Sequence, residues 1–313
     1  MRIFVVKLVG FCAVNGIAAA AFMLLLDGSR DAPASETGSV LFRIPRNAHR
    51  DVLVLGSSHA MVLSFYKENQ AAFEREVGRN CLNLGKGAAG LVPERCYLSY
   101  YFDRGNTAGT VLYFIDPWAF HSRVWNEDSG FLEDEPFRPG FLPIALQNRI
   151  ALRQVLTHMQ RKFTPKWIVK GPRHEIRWPR FDRTVDTGEV ERRRAWLYPQ
   201  GTSPVLFGKY ASVLEGLIAN ANQHGARVVL VCPPTLLGTL PGHEEMKALL
   251  RSFEDEYEAT FHDMSEAISD PGLFRDLDHL NAGGVEVLAR AVGLILKSPQ
   301  DDRDVPHLNR TGN

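Results

Sequence analysis

The chain of 313 residues carries 36 basic and 36 acidic side chains, with 45% apolar and 23% charged residues. That length accommodates one large domain or two small ones, and the apolar fraction is ample for a packed core. Neutrality excludes nucleic-acid binding by a generally basic surface. Four cysteines, with no CxxC pair or Cys/His cluster, exclude a disulfide scaffold and a structural zinc fold.

Leu8 to Leu26 is a 19-residue uncharged stretch in which Asn15 is the one strongly polar side chain; Arg2 and Lys7 precede it and Asp27 follows. About 20 apolar residues in a helix cross a bilayer core of about 30 Å, so residues 1–26 are expected to form one transmembrane anchor. The basic flank predicts a cytoplasmic N-terminus and a periplasmic or otherwise extracytoplasmic domain. A cleaved signal peptide is the alternative, although its apolar region normally runs about 7–15 residues. In an oxidising compartment Cys81 and Cys96 can bridge, leaving Cys232 alone; three buried, unpaired thiols are the competing expectation.

Residues 27–50 are polar and without sustained periodicity, which suits a stalk. Asp51-Val-Leu-Val-Leu-Gly56 reads as a buried strand, and Asn80–Leu84 as a second. A helix is expected over Val92–Phe102, with Pro93 in its first turn, before a third strand over Thr110–Ile115. Ser203 and Pro204 open another helix that Gly225 closes. Arg227–Cys232 is a fourth strand, followed by a helix over 243–257 and a short strand near Thr260–Met264. The last helix follows Asn281, with Val285, Leu288, Ala289, Val292 and Ile295 on one face. Buried strands alternating with helices predict an α/β fold, a mainly parallel sheet flanked by helices, over residues 51–297. The polar segment 298–313 reads as a loose tail.

Residues 119–202 interrupt this alternation. Between Arg161 and Arg194 stand 11 Lys or Arg against 5 Asp or Glu, with Trp167, Trp178, Phe181 and, just beyond, Trp196 among them. One expectation is a solvated insertion with snorkelling arginines. The other is a surface for anionic headgroups or for an anionic or sugar-rich polymer.

Ligands of open parallel sheets bind at the carboxyl ends of the strands. Past the first strand lies Gly56-Ser57-Ser58-His59, past the second Gly85-Lys86-Gly87, and past the third Asp116-Pro117-Trp118. Asp276-Leu277-Asp278-His279 precedes the last helix. A hydroxyl, flexible backbone N–H donors, a carboxylate and an imidazole are the inventory of serine-type acyl transfer.

In these blocks, and in their order over Asp51–Trp118 and about Ser203–Lys297, the chain resembles the SGNH, or GDSL-like, hydrolase superfamily. It most resembles membrane-anchored extracytoplasmic members of the D-alanyl transfer and alginate O-acetylation type. The resemblance implies a flavodoxin-like three-layer fold. It also implies Ser58 as nucleophile, His279 as general base and Asp276 as the carboxylate that orients it. Asp278 is the alternative orienting acid, and Ser57 is structural. An oxyanion hole would use the Ser58 N–H with Gly87, or its neighbour Gly85. The third block departs from the family. Asp116 stands where an asparagine donor is usual, and a charged aspartate would repel an oxyanion. His59, Asp116 and Trp118 are candidate substrate-binding residues, with loop positioning the first expectation for His59.

The expected function is a serine esterase or O-acyltransferase acting on acyl esters of an envelope glycan or glycolipid. It needs no cofactor or metal, and a multi-span membrane protein is the acyl donor that the resemblance implies. A non-catalytic binding or assembly protein for envelope polysaccharide is the alternative. Metal-dependent hydrolysis through Asp276, Asp278 and His279 is a third reading.

Overall fold

A computed structural model describes residues 2–28, 39–64, 67–127, 130–132, 135–136, 138–162 and 184–297. In chain order its elements are α1 (Arg2–Gly28), α2 (Val40–Arg43), β1 (His49–Gly56), α3 (Ser58–Met61), α4 (Lys67–Val77), β2 (Cys81–Asn83), α5 (Leu91–Asp103) and β3 (Thr107–Phe114). The insertion contributes α6 (Arg123–Asn126), α7 (Phe141–Gln147), α8 (Leu152–Lys162) and α9 (Thr187–Leu197). Then come α10 (Pro204–Gln223), β4 (Arg227–Cys232), α11 (His243–Glu256), β5 (Ala259–Asp263) and α12 (Ala282–Lys297).

The strands form one parallel sheet in the order β2-β1-β3-β4-β5. Leu53 pairs with Leu82 on one side and Val111 on the other. Val52–Leu55 of β1 and Val228–Val231 of β4 are buried, as a sheet covered on both faces requires. Helices flank it, with α4 packed against α12 and α5 against α10. Strand order reverses between β1 and β3, which makes the crevice beyond their carboxyl ends the topological switch point. Ser203 caps α10 by accepting from the Leu206 N–H, and Gly225 follows that helix with φ +75°.

The expected stalk is shorter than residues 27–50. Val40, Leu41 and Ile44 are fully buried, and the Glu135 carboxylate receives the Ser39 hydroxyl at 2.6 Å and the Leu41 N–H at 2.8 Å. A single apolar turn is too short to show a period, so its packing was invisible in the sequence. The described part of the insertion is built from short helices joined by turns, and Phe141, Val155 and Leu197 belong to the core. Residues 163–183, which carry most of the basic excess, and the tail 298–313 lie outside the described residues.

Cys81, Cys96 and Cys232 are buried and free, so Cys81 and Cys96 do not bridge. Burial pushes the Cys81 and Cys96 thiols up to about 12, which removes them as nucleophiles at neutral pH. Among the described residues no helix is long and apolar enough to cross a membrane, so the expected span is not supported by the fold itself. In α1 the described side chains are 3–18 and 21; Phe4, Phe11, Val14 and Ile17 among them stand exposed.

Candidate active site

β1 ends at Gly56, whose φ is +134° and whose absent Cβ would lie 2.5 Å from the Phe114 carbonyl oxygen. Only glycine permits that backbone and that approach to β3. The chain then turns sharply. The Ser57 side chain accepts from the His59 N–H at 3.4 Å and starts the single turn α3, with Ser58 as its first residue. On the far side, Asp276–His279 forms a tight turn. It is closed by the Arg275 N–H on the His279 carbonyl at 2.9 Å and by a bridge between Phe274 and Leu280. Asn281 fastens it by donating to the Gly272 and Phe274 carbonyls while accepting from the Gly284 N–H.

These two turns bring Ser58, His279 and Asp276 into one hydrogen-bonded line. His279 Nε2 lies 2.7 Å from Ser58 Oγ, and His279 Nδ1 lies 2.8 Å from Asp276 Oδ1. With Nδ1 donating to the carboxylate, Nε2 is left to accept the serine proton. Asp276 Oδ1 also receives the backbone N–H groups of Asp278 and His279, at 3.1 and 2.8 Å, so one carboxylate shapes the turn and aims the ring. Asp278 is not turned away. Its Oδ1 lies 3.2 Å from His279 Nδ1, and its Oδ2 accepts from Arg193 Nε at 2.9 Å and Nη2 at 2.7 Å. Burial by itself would lower the proton affinity of His279; hydrogen bonds and charge from Asp276 and Asp278 outweigh it and push the ring up to about 9. Burial likewise opposes ionisation of Asp278, but His279, His59 and Arg193 hold it well below the usual carboxylate range.

The remaining candidates divide. Asp116 takes no oxyanion role, because its carboxylate accepts from the Ser57 hydroxyl at 2.9 Å and contacts His59 Nδ1 at 2.8 Å. It thus fixes the residues on both sides of Ser58. Gly85 is corrected as an oxyanion donor, since its N–H is spent on Asn83 Oδ1 at 2.7 Å. A Cβ at Gly85 would meet the Met61 nitrogen at 2.7 Å, so this glycine allows the loop to pack under α3. The Ser58 and Gly87 N–H groups have no acceptor among the described residues. His59, Asp116 and Trp118 line a cavity together with Leu197, Cys232 and Asp278. At about 10 Å³ it has room for one water molecule, too little for a sugar or an acyl chain.

Two residues escaped the sequence reading. Arg193 lay within the basic stretch, where nothing singled it out. Glu94 is fully buried beneath the turn that carries Ser58, where it accepts the Gly56 N–H at 3.2 Å, and burial pushes its carboxyl well up. Two clusters have the composition of a metal site, His59–Asp278–His279 and Cys232–His243–Asp263. In each the carboxylate already faces a cation, Arg193 at 2.7 Å and Lys247 at 3.4 Å, so neither has the uncompensated negative charge that holds a divalent ion.

Neither a protein-family model nor a curated protein sequence matches this chain.

Proposed function

We propose that the protein is a serine hydrolase of the SGNH type. The observation that carries the reading is the unbroken line from Ser58 through His279 to Asp276 at the carboxyl end of a parallel sheet. Ser58 Oγ attacks an ester carbonyl carbon while its proton passes to His279 Nε2. Collapse of the tetrahedral intermediate expels the alcohol, which takes that proton, and leaves an acyl group on Ser58. Water or a sugar hydroxyl then attacks the acyl carbon, and the proton it loses returns through His279 to Ser58. The Ser58 and Gly87 N–H groups are the donors placed to receive the oxyanion.

More narrowly, the protein is a membrane-anchored esterase or O-acyltransferase acting on an envelope glycan or glycolipid, with its catalytic domain outside the cytoplasmic membrane. Support for the anchor comes from the 19-residue uncharged stretch Leu8–Leu26 and from the exposed apolar side chains of α1, a surface that a soluble domain would bury. A multi-span membrane protein is the partner this reading calls for as acyl donor.

A fluorophosphonate probe tests the chemistry. Labelling of the intact protein that disappears in Ser58→Ala is the expected result; a folded protein that never labels returns the reading to a polysaccharide-binding module. Trapping the acyl-enzyme with and without a sugar acceptor then separates transferase from hydrolase, because only a transferase deacylates faster when the acceptor is added.

A further inference from the structure

The inserted segment reaches the catalytic histidine from a distant part of the chain. α9 is held against the domain by Arg194 Nη2, which donates to the Leu237 carbonyl, by the Tyr198 hydroxyl on the Pro241 carbonyl at 2.7 Å, and by Trp125 Nε1 on the Leu197 carbonyl at 3.0 Å. So fixed, Arg193 lies with its guanidinium carbon 4.3 Å from the Trp196 ring centroid and turns two N–H groups toward one oxygen of Asp278. The other oxygen of Asp278 faces His279 Nδ1 at 3.2 Å.

We propose that Arg193 and Asp278 are a positioning pair through which the insertion sets the proton affinity of His279. Asp276 supplies the direct hydrogen bond, but its side chain is 42% exposed and its charge is partly screened by water and by Arg275 at 3.1 Å. Asp278 is almost fully buried, so its charge reaches the ring with little screening. Among the described residues the groups facing the imidazole are few: Ser58 on Nε2, Asp276 and Asp278 on Nδ1, and the His59 ring at a centroid distance of 5.2 Å with Asp116 behind it. His59 Nε2 stands 3.9 Å from Asp278 Oδ2, so among the described residues Arg193 is the one permanent cation bound to that buried carboxylate. Weakening the Arg193 contact leaves Asp278 more negative toward His279. Removing the Asp278 charge makes the ring easier to deprotonate.

Only the catalytic consequence rests on the serine-hydrolase reading; the titration of His279 does not. The experiment therefore follows both. Histidine ring resonances are titrated by NMR, and kcat/KM on an activated aryl ester is measured across pH, for the full-length protein and for Asp278→Asn, Arg193→Gln and the double variant. Asp278→Asn is expected to move the His279 midpoint down by about one pH unit or more, a tenfold change in proton affinity. Arg193→Gln is expected to move it up, and the double variant to titrate with Asp278→Asn, since the cation has nothing left to act on. Should Arg193→Gln fail to fold with its carboxylate unpaired, the double variant, which has no uncompensated charge, still decides the role of Asp278. A His279 midpoint unmoved in Asp278→Asn, or in folded Arg193→Gln, overturns the proposal. Shifted titrations in a protein without esterase activity would overturn the proposed chemistry and leave this pair standing. Activity with unshifted titrations would do the reverse.

Discussion

His279–Asp276 and His59–Asp116 are the same two groups at the same closest separation, 2.8 Å in each pair, and their rings lie 5.2 Å apart. They differ in what meets the opposite ring nitrogen. His279 Nε2 has the Ser58 hydroxyl at 2.7 Å, whereas His59 Nε2 is buried with no hydrogen-bond partner among the described residues. They differ also in surroundings, for the Asp276 side chain is 42% exposed and that of Asp116 only 4%. An imidazole–carboxylate pair is therefore not a catalytic signature on its own. Under the proposed chemistry, the group on the far nitrogen would make one pair a proton path and leave the other a brace for the serine turn.

The sharpest way to break this comparison is to remove each ring in turn. His279→Ala should lower turnover of an activated ester by roughly 10⁴–10⁶, as losing the base of a triad does, with the protein still folded. A comparable loss in His59→Ala would put the proton path on the wrong pair. Next in size, Asp276→Asn should cost about 10²–10⁴ in kcat, because the amide favours the wrong tautomer. A loss at the small end of that range would show Asp278 sharing the orienting work. Third, kcat/KM of the wild type should rise with pH through a midpoint near 9, where the raised His279 becomes the neutral base. The sign runs the other way for stability. What charged His279 contributes is complete below the ordinary imidazole value of about 6.5 and fades as pH climbs through 9, which thermal unfolding from pH 6 to 10 would detect. The smallest effect belongs to the brace: His59→Ala leaves Asp116 buried with fewer donors and should lower stability by about 1–3 kcal/mol, measured by denaturant unfolding, with turnover within about tenfold of wild type.

The strands were legible because a buried parallel strand is a continuous apolar run, and β1, β3 and β4 are each closed by residues that cannot continue it. The Ser58 position followed from the end of β1, since ligands in this topology bind there, whereas Asp276 and His279 were expected from the block before the last helix and the resemblance it carries. Asp278 was harder, because its inward aim depends on the tight turn that Asn281 staples. Arg193 was hidden for a different reason. It stands 85 residues before its partner, on a helix with little apolar periodicity, and a long-range ion pair leaves no local pattern. Val40–Arg43 was misjudged as stalk because one turn of apolar residues resembles a loop until the core it enters is known.

That short helix also fixes where the chain enters the domain. The Arg43 guanidinium grips the Asn83 and Gly85 carbonyls, so the chain joins the domain beside the same loop that underlies Ser58. Ten residues separate Gly28, the end of α1, from Ser39, the first described residue after it, which is bound to the domain. Fully extended they reach about 40 Å at most. If α1 is the proposed anchor, this length confines Ser58 to a shallow layer above the bilayer. On that reading, acyl groups carried on lipids or on the nearest sugars would fall within its radius, and those on distant polymer ends would not. Lengthening residues 29–38 would then widen the reach of the proposed esterase without touching Ser58, His279 or Asp276.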